Sequence, residues 1–122
     1  MISDLVFYTG IALLLTHEMD AIYRHEWRMF PLICRLSDDV GYHVFVVAHI
    51  PLFVLLFWLM HHPSGTVLYW FHVCMDGFFI VHLGLHLLLK SHDQNEFSSV
   101  LSKFIIFATA LAGATHLILI MT

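Results

Sequence analysis

Apolar residues along the chain are grouped into four long runs that are separated by short polar connections. The runs cover roughly residues 4–24, 42–60, 67–89 and 100–121. Each is close to the roughly 20 residues of helix that cross the hydrocarbon core of a bilayer. Pro31 should stop the first helix, segment 61–65 (His-His-Pro-Ser-Gly) is typical of a turn, and Pro51 should kink the second helix. The pattern predicts an all-α fold, an integral membrane four-helix bundle with a single transmembrane domain over residues 1–122.

Composition agrees with a membrane protein and excludes several other classes. The chain has 122 residues and is 60% hydrophobic, which is too apolar for an ordinary soluble domain and too short for a second bundle. A net charge of -4 with five Lys and Arg residues provides no basic patch for nucleic acid. Cys34 and Cys74 are spaced unlike a zinc or redox pair. The expected partners are the lipid bilayer and, with polar faces on several short helices, a second copy of the chain.

The basic residues predict an orientation in the membrane. They all lie in or beside the first and third connections: Arg24, Arg28, Arg35, Lys90 and Lys103. The second connection and both tails contain no Lys or Arg. Because basic residues are concentrated in cytoplasmic loops, we expect the first and third connections to be cytoplasmic and both termini to face outward.

Histidines and carboxylates lie inside the apolar runs, where ionisable groups are costly. An Arg, Lys or Asp at the bilayer centre costs about 2.5–3.5 kcal/mol on insertion scales, and an ionisable side chain at this depth usually indicates a bound ion or a transfer path. Counting about 1.5 Å per residue from the middle of each run places three imidazoles at one depth, roughly 3–6 Å to the cytoplasmic side. These are His17, His49 and His82.

Two further groups of polar residues lie above and below this layer. The cytoplasmic group contains Asp20, His43, His86, His25 and Glu26. On the outer side, His72 and His116 lie roughly 9 Å from the centre, with Asp76 between them and the first layer. The layering predicts one polar site in the cytoplasmic half of the bundle and a smaller, separate outer pair.

The residue types favour a metal site. Three pairs are spaced to share a helix face: His17-x-x-Asp20, His72-x-x-x-Asp76 and His82-x-x-x-His86. Helical bundles build di-iron and di-manganese sites from carboxylates and histidines three or four residues apart. Imidazole and carboxylate ligands without thiolates suit iron, zinc, copper or manganese. The chain has no zincin motif, because Ala21 stands where the second histidine would be.

The main hypothesis is therefore a membrane metalloprotein with a His/carboxylate site in the cytoplasmic half of the bundle. The site is expected to hold two ions and to act as an oxidoreductase with an external electron donor. Candidate metal ligands and their neighbours are His17, Glu18, Asp20, His25, Glu26, His43, His49, Asp76, His82 and His86. No catalytic residue is assigned.

The segment His17-Glu18-Met19-Asp20-Ala21, followed by His25-Glu26-Trp27-Arg28, resembles a motif of an uncharacterised bacterial group. That group consists of small, His-rich four-helix membrane proteins with His-Glu…His-Glu-Trp in the first helix. A more distant likeness is to the HxxEE-type family. The resemblance implies a four-helix fold, a bacterial inner membrane location and importance for the quoted residues, but no activity.

Two other functions use the same residues. A b-type haem could lie between histidines of facing helices, His17 or His49 against His82, and transfer electrons. Alternatively, a stack from His116 and His72 through Asp76 to His82 and His86 could relay protons or pass a divalent ion.

A structural role is the other alternative for these polar residues. Single histidines in a span are often only helix–helix hydrogen bonds, worth about 0.6 kcal/mol each. Trp27 is expected to anchor the chain at headgroup level.

Overall fold

The computed structural model describes residues 1–122 and contains four long helices and no strand. They are α1 (Ile2–Tyr23), α2 (Asp38–Met60), α3 (Gly65–Leu88) and α4 (Val100–Met121). Short 3₁₀ turns occur at Glu26–Met29, Ile33–Arg35 and Leu89–Ser91. All four helices are long and apolar enough to cross a membrane. The all-α, four-helix class predicted from the hydrophobic pattern is confirmed.

The helix ends follow local chemistry. α2 begins at Asp38, four residues earlier than its apolar run, with Asp38 and Asp39 in its first turn. Carboxylates there interact favourably with the positive end of the helix dipole. At the start of α4, Ser99 caps the helix by accepting a hydrogen bond from the backbone N–H of Ser102 at 3.0 Å. α2 continues as a helix through Pro51.

α4 is the helix around which the bundle packs, because it contacts both α1 and α3 along its length. Two glycines permit these close contacts. A Cβ at Gly10 of α1 would lie 2.7 Å from ring carbon Cε2 of Phe79, and one at Gly113 of α4 would lie 3.0 Å from the backbone oxygen of Asp76. The Phe79 ring therefore occupies the space between α1, α3 and α4.

α2 makes few contacts with the other three long helices. Only Gly41, Phe45 and Leu56 are buried along its 23 residues. A cleft consequently separates much of α2 from α1 and α3.

The first and third connections fold back over one end of the bundle. Trp27 from the first and Phe97 from the third join a buried cluster with Phe45 and Ile106. The prediction that Trp27 anchors the chain at headgroup level is wrong, because its side chain is 4% exposed. Its indole Nε1 donates to Asp38 Oδ1 at 3.0 Å, which supplies the partner that a buried N–H needs.

Candidate metal centre

Four side chains bring potential metal-ligand atoms together in the half of the bundle beneath these connections. They are His17 from α1, Glu26 from the first connection, and His82 and His86 from α3. Each offers one nitrogen or oxygen, and the four atoms all lie within 4.8 Å of one another. His82 and His86 are one turn apart, so their rings project from the same face of α3.

The separations between these atoms match a small coordination sphere. Nε2 of His82 and Nε2 of His86 are 3.2 Å apart. Glu26 Oε2 lies 3.8 Å from His17 Nε2, and Glu26 Oε1 lies 3.7 Å from His86 Nε2. A regular tetrahedron with ligand distances of about 2.0–2.1 Å has edges of about 3.3–3.4 Å. These three separations differ from such an edge by a few tenths of an ångström, and since all four donor atoms lie within 4.8 Å of one another, side-chain shifts of about 1 Å would place them around one ion.

The imidazole of His17 is buried and makes no hydrogen bond, which supports an ion at this position. Its side chain is 1% exposed, and neither ring nitrogen has a hydrogen-bond partner. A buried polar group without a partner costs about 1–3 kcal/mol. An ion at Nε2 would satisfy one of the two nitrogens, whereas Nδ1 would still lack a protein partner. The four side chains are thus better arranged to bind a cation than to hydrogen-bond with one another.

Glu26 reaches the cluster because the chain reverses immediately after α1. The helix ends at Tyr23, and His25 takes a left-handed conformation with φ 53° and ψ 43°. This conformation is uncommon for a residue other than glycine but typical just after a helix end. The next residue, Glu26, is 8% exposed, and its carboxylate lies over the imidazoles. Burial, with repulsion from Glu18 and Asp20, raises the pKa of Glu26 to about 8.

Ion pairs hold this reversal in position. The guanidinium of Arg28 donates from Nε and Nη2 to both carboxylate oxygens of Asp38, each at 2.8 Å. Its Nη1 also donates to Glu96 Oε1 at 3.2 Å. The same Glu96 makes a hydrogen bond with His25 Nδ1 at 3.0 Å. The turn that carries Glu26 is therefore tied to α2 and to the third connection.

Aromatic rings enclose the imidazoles. Phe97 packs against His17 and His86 with ring centroids 5.4 and 4.7 Å apart. Phe78 stacks nearly parallel to His82 at 5.4 Å with an interplanar angle of 12°. These contacts limit ring rotation, so the donor atoms keep their positions.

Several other predicted site residues lie near the cluster but form hydrogen bonds with residues outside it. Glu18 Oε2 and His49 Nε2 form a hydrogen bond of 2.9 Å with each other beside the four donors. Asp20 accepts from Arg24 Nε at 3.3 Å and from the hydroxyl of Ser102, which ties α1 to α4.

Three predicted residues lie apart from the cluster. His25 pairs with Glu96 as described above, while His43 is exposed and bonds through Nδ1 to the backbone oxygen of Asp39 at 2.7 Å. Asp76 is fully buried, and its Oδ2 lies 2.7 Å from His116 Nδ1. The structure thus places Asp76 with the outer histidines, on the far side of Phe79 from His82.

The family model of DUF6713, a family of unknown function, matches residues 3–122. The chain belongs to this family. This agrees with the predicted membership of an uncharacterised family. The likeness to the HxxEE-type family and the bacterial location stay predictions. No curated protein matches the chain, and no solved structure does.

Three residues that support the site in this DUF6713 protein were not predicted from the sequence. Glu96 and Phe97 lie in the third connection, in which no site residue was predicted. Ser102 is fully buried and donates to Asp20. Only Ser102 carried a local signal, because it lies three residues after Ser99, a serine that precedes an apolar run in the manner of a helix cap.

Proposed function

We propose that this protein is an integral membrane metalloprotein that binds one divalent transition-metal ion. The ligands would be His17, Glu26, His82 and His86. The observation that carries the proposal is the buried imidazole of His17, whose two nitrogens lack partners although three other donor atoms lie within 4.8 Å of it.

The donor set limits the metals to consider. Three imidazoles and one carboxylate, without a thiolate, suit iron, zinc, copper or manganese. When bound, iron, copper or manganese would supply redox chemistry, and zinc would act as a Lewis acid or as a structural ion. A second ion, as predicted from the sequence, would need Glu18 and His49 as ligands in place of their mutual hydrogen bond.

The two alternative functions have weaker support. The rings of His17 and His82 are in direct edge contact, with centroids 4.6 Å apart, which leaves no room for a porphyrin between them. A haem between His49 and His82 has weaker support because both ring nitrogens of His49 are already hydrogen-bonded, to Phe45 and Glu18. A relay across the bilayer would have to pass from Asp76 to His82. Phe79, 1% exposed, lies one turn from each and interrupts that route.

The distribution of charge supports an orientation for this site. Both connections at the metal end contain the basic residues, and they are joined by the pairing of Arg28 with Glu96. By the positive-inside rule this end would be cytoplasmic, in a bacterial inner membrane, with both termini outside.

The test is elemental analysis of detergent-purified protein that has not met a nickel column. We expect about one equivalent of iron, zinc, copper or manganese in the wild type, without the Soret band of haem. His17→Ala should lose the ion. His43→Ala and His92→Ala, which change exposed histidines, are the matched controls and should retain it.

Full metal content in His17→Ala would refute the ligand assignment. Two equivalents, with one lost in Glu18→Gln, would instead support the two-ion hypothesis.

A further inference from the structure

A cleft of about 380 Å³ lies between α2 and the α1/α3 side of the bundle and reaches the proposed metal ligands. Of its fourteen lining residues nine are hydrophobic. The other five are Glu18, Glu26, His49, His82 and His86. The cleft is thus apolar except for three of the proposed ligands and one additional hydrogen-bonded pair.

The cleft opens toward the side of the bundle. Leu52, Phe78 and Leu85 line it and are nevertheless 54%, 43% and 47% exposed. Since all four helices are long and apolar enough to cross a membrane, acyl chains rather than water would surround this opening. A molecule that enters here would come from the lipid phase.

A second cavity continues the cleft toward the outer half of the bundle. It measures about 220 Å³, shares Glu18, Leu52 and Phe78 with the first, and is otherwise lined by hydrophobic side chains that include Leu59 and Met75. The two cavities together form an elongated apolar space with polar groups at one end. That shape suits a hydrocarbon chain with a single polar terminus.

The Glu18–His49 pair indicates which polar group the ligand would carry at this end of the cleft. His49 Nδ1 bonds to the backbone oxygen of Phe45 at 2.6 Å, so this nitrogen must carry a proton. The Nε2–Glu18 hydrogen bond at 2.9 Å then contains one further proton, held by either partner. In both cases the pair is neutral overall and can exchange a hydrogen bond with a ligand. Because this neutral pair offers no cation to an anionic headgroup, it suits an uncharged oxygen that can donate or accept a hydrogen bond.

We propose that this cleft binds a neutral single-chain lipid whose polar end is a hydroxyl or carbonyl oxygen. The oxygen would lie among Glu18, His49 and the metal ligands, and the chain would extend along Leu52 and Phe78. The assignment names a substrate class for the proposed metal site and rests on that proposal for the role of the ion. The cleft itself is defined independently of the ion.

The experiment is photolabelling of the full-length, metal-loaded protein in lipid nanodiscs. The probe is a long-chain alcohol that carries a diazirine in the chain, and adducts are mapped by mass spectrometry. We expect adducts on Leu52 and Phe78, with competition by the unlabelled alcohol and much less by an alkane without a headgroup or by a fatty acid.

Ala48→Trp provides the matched test, because Ala48 lines the cleft. Its neighbour Val47 is exposed and does not line the cleft, so Val47→Trp is the control. Ala48→Trp should reduce the adducts several-fold while retaining bound metal, and Val47→Trp should change neither. Equal labelling in the two variants, or adducts spread evenly over the lipid-facing surface, would overturn the proposal.

Metal content measured in the same samples separates the two proposals. Metal-free wild-type protein with cleft labelling would refute the metal site alone, and metal-loaded protein with diffuse labelling would refute the lipid site alone. Absence of cleft adducts together with a chain-to-chain disulfide in Ala48→Cys would show that a second copy of the chain covers the cleft instead.

Discussion

At the scale of single residues, the polar groups inside the bundle divide into those that have at least one partner and one that has none. Asp76 pairs with His116 through Oδ2, and Glu18 pairs with His49. His17 is as buried as Asp76, yet both of its ring nitrogens are without partners, whereas Asp76 lacks a partner only at Oδ1. A buried imidazole in this state is explained by a ligand more readily than by helix packing, because packing alone leaves the cost of the unmade hydrogen bonds in place.

Replacing the carboxylate of the site should weaken metal binding without unfolding the protein. Glu26→Gln keeps the size of the side chain but removes the anion that offsets the charge of the ion. We expect the affinity for Zn²⁺ to fall by at least about tenfold, measured by competition with a chromophoric chelator. Asp39→Asn, which removes an exposed carboxylate, should leave the affinity unchanged. Equal affinities in the two variants would exclude Glu26 as a ligand.

At the scale of elements, the four helices contribute unequally to the bundle. α4 packs tightly against α1 and α3, and several of its buried residues are small. In contrast, α2 is largely exposed and borders the cleft. The metal ligands come from α1, α3 and the turn after α1, so the site belongs to the tightly packed part. The loosely packed helix is the one positioned to admit a ligand from the side.

The close contact between α3 and α4 should depend on Gly113. A Cβ at this position would lie 3.0 Å from the backbone oxygen of Asp76 and from Phe79 Cβ, and backbone atoms cannot move aside cheaply. Gly113→Ala should therefore lower the free energy of unfolding by about 1–3 kcal/mol, measured by SDS titration in mixed micelles.

Gly84→Ala is the control for the Gly113 substitution, because a Cβ at Gly84 of α3 has no neighbour within 4 Å. It should leave the stability unchanged or raise it by up to about 1 kcal/mol, because alanine favours a helix interior over glycine. A similar loss in both variants would mean that helix flexibility, not close packing, is what the glycines provide.

At the scale of the whole molecule, the chain has a chemically distinct end. The first and third connections meet there through Arg28 and Glu96, cover the proposed metal site and contain the basic residues. The opposite end, at the second connection, has none. The molecule is thus asymmetric along its long axis in both charge and chemistry.

The native cysteines allow this asymmetry to be tested in whole cells. Cys34 lies exposed in the first connection, and Ser64→Cys would add a thiol in the second. An impermeant maleimide should label Ser64→Cys in intact cells, but Cys34 only after the membrane is permeabilised, because the positive-inside rule predicts that the basic end faces the cytoplasm. Labelling of wild-type Cys34 in intact cells would reverse the proposed orientation.

The sequence by itself determined the fold class and the layering of the polar residues. Hydrophobic runs of bilayer length specify helices through local composition, and counting residues along a run places His17 and His82 at a common depth. Their rings are indeed in contact in the structure. Depth follows from a fixed rise per residue, so it needs no knowledge of neighbouring helices.

Only the tertiary structure decided which residues at a given depth meet. The rotation of each helix about its axis directs His49 toward Glu18 rather than into the four-residue cluster. The left-handed turn at His25 brings Glu26 back over the bundle, and Phe97 arrives from a connection distant in sequence. Helix rotation and chain reversal depend on packing between distant segments, which a pattern of spacing along one chain does not contain.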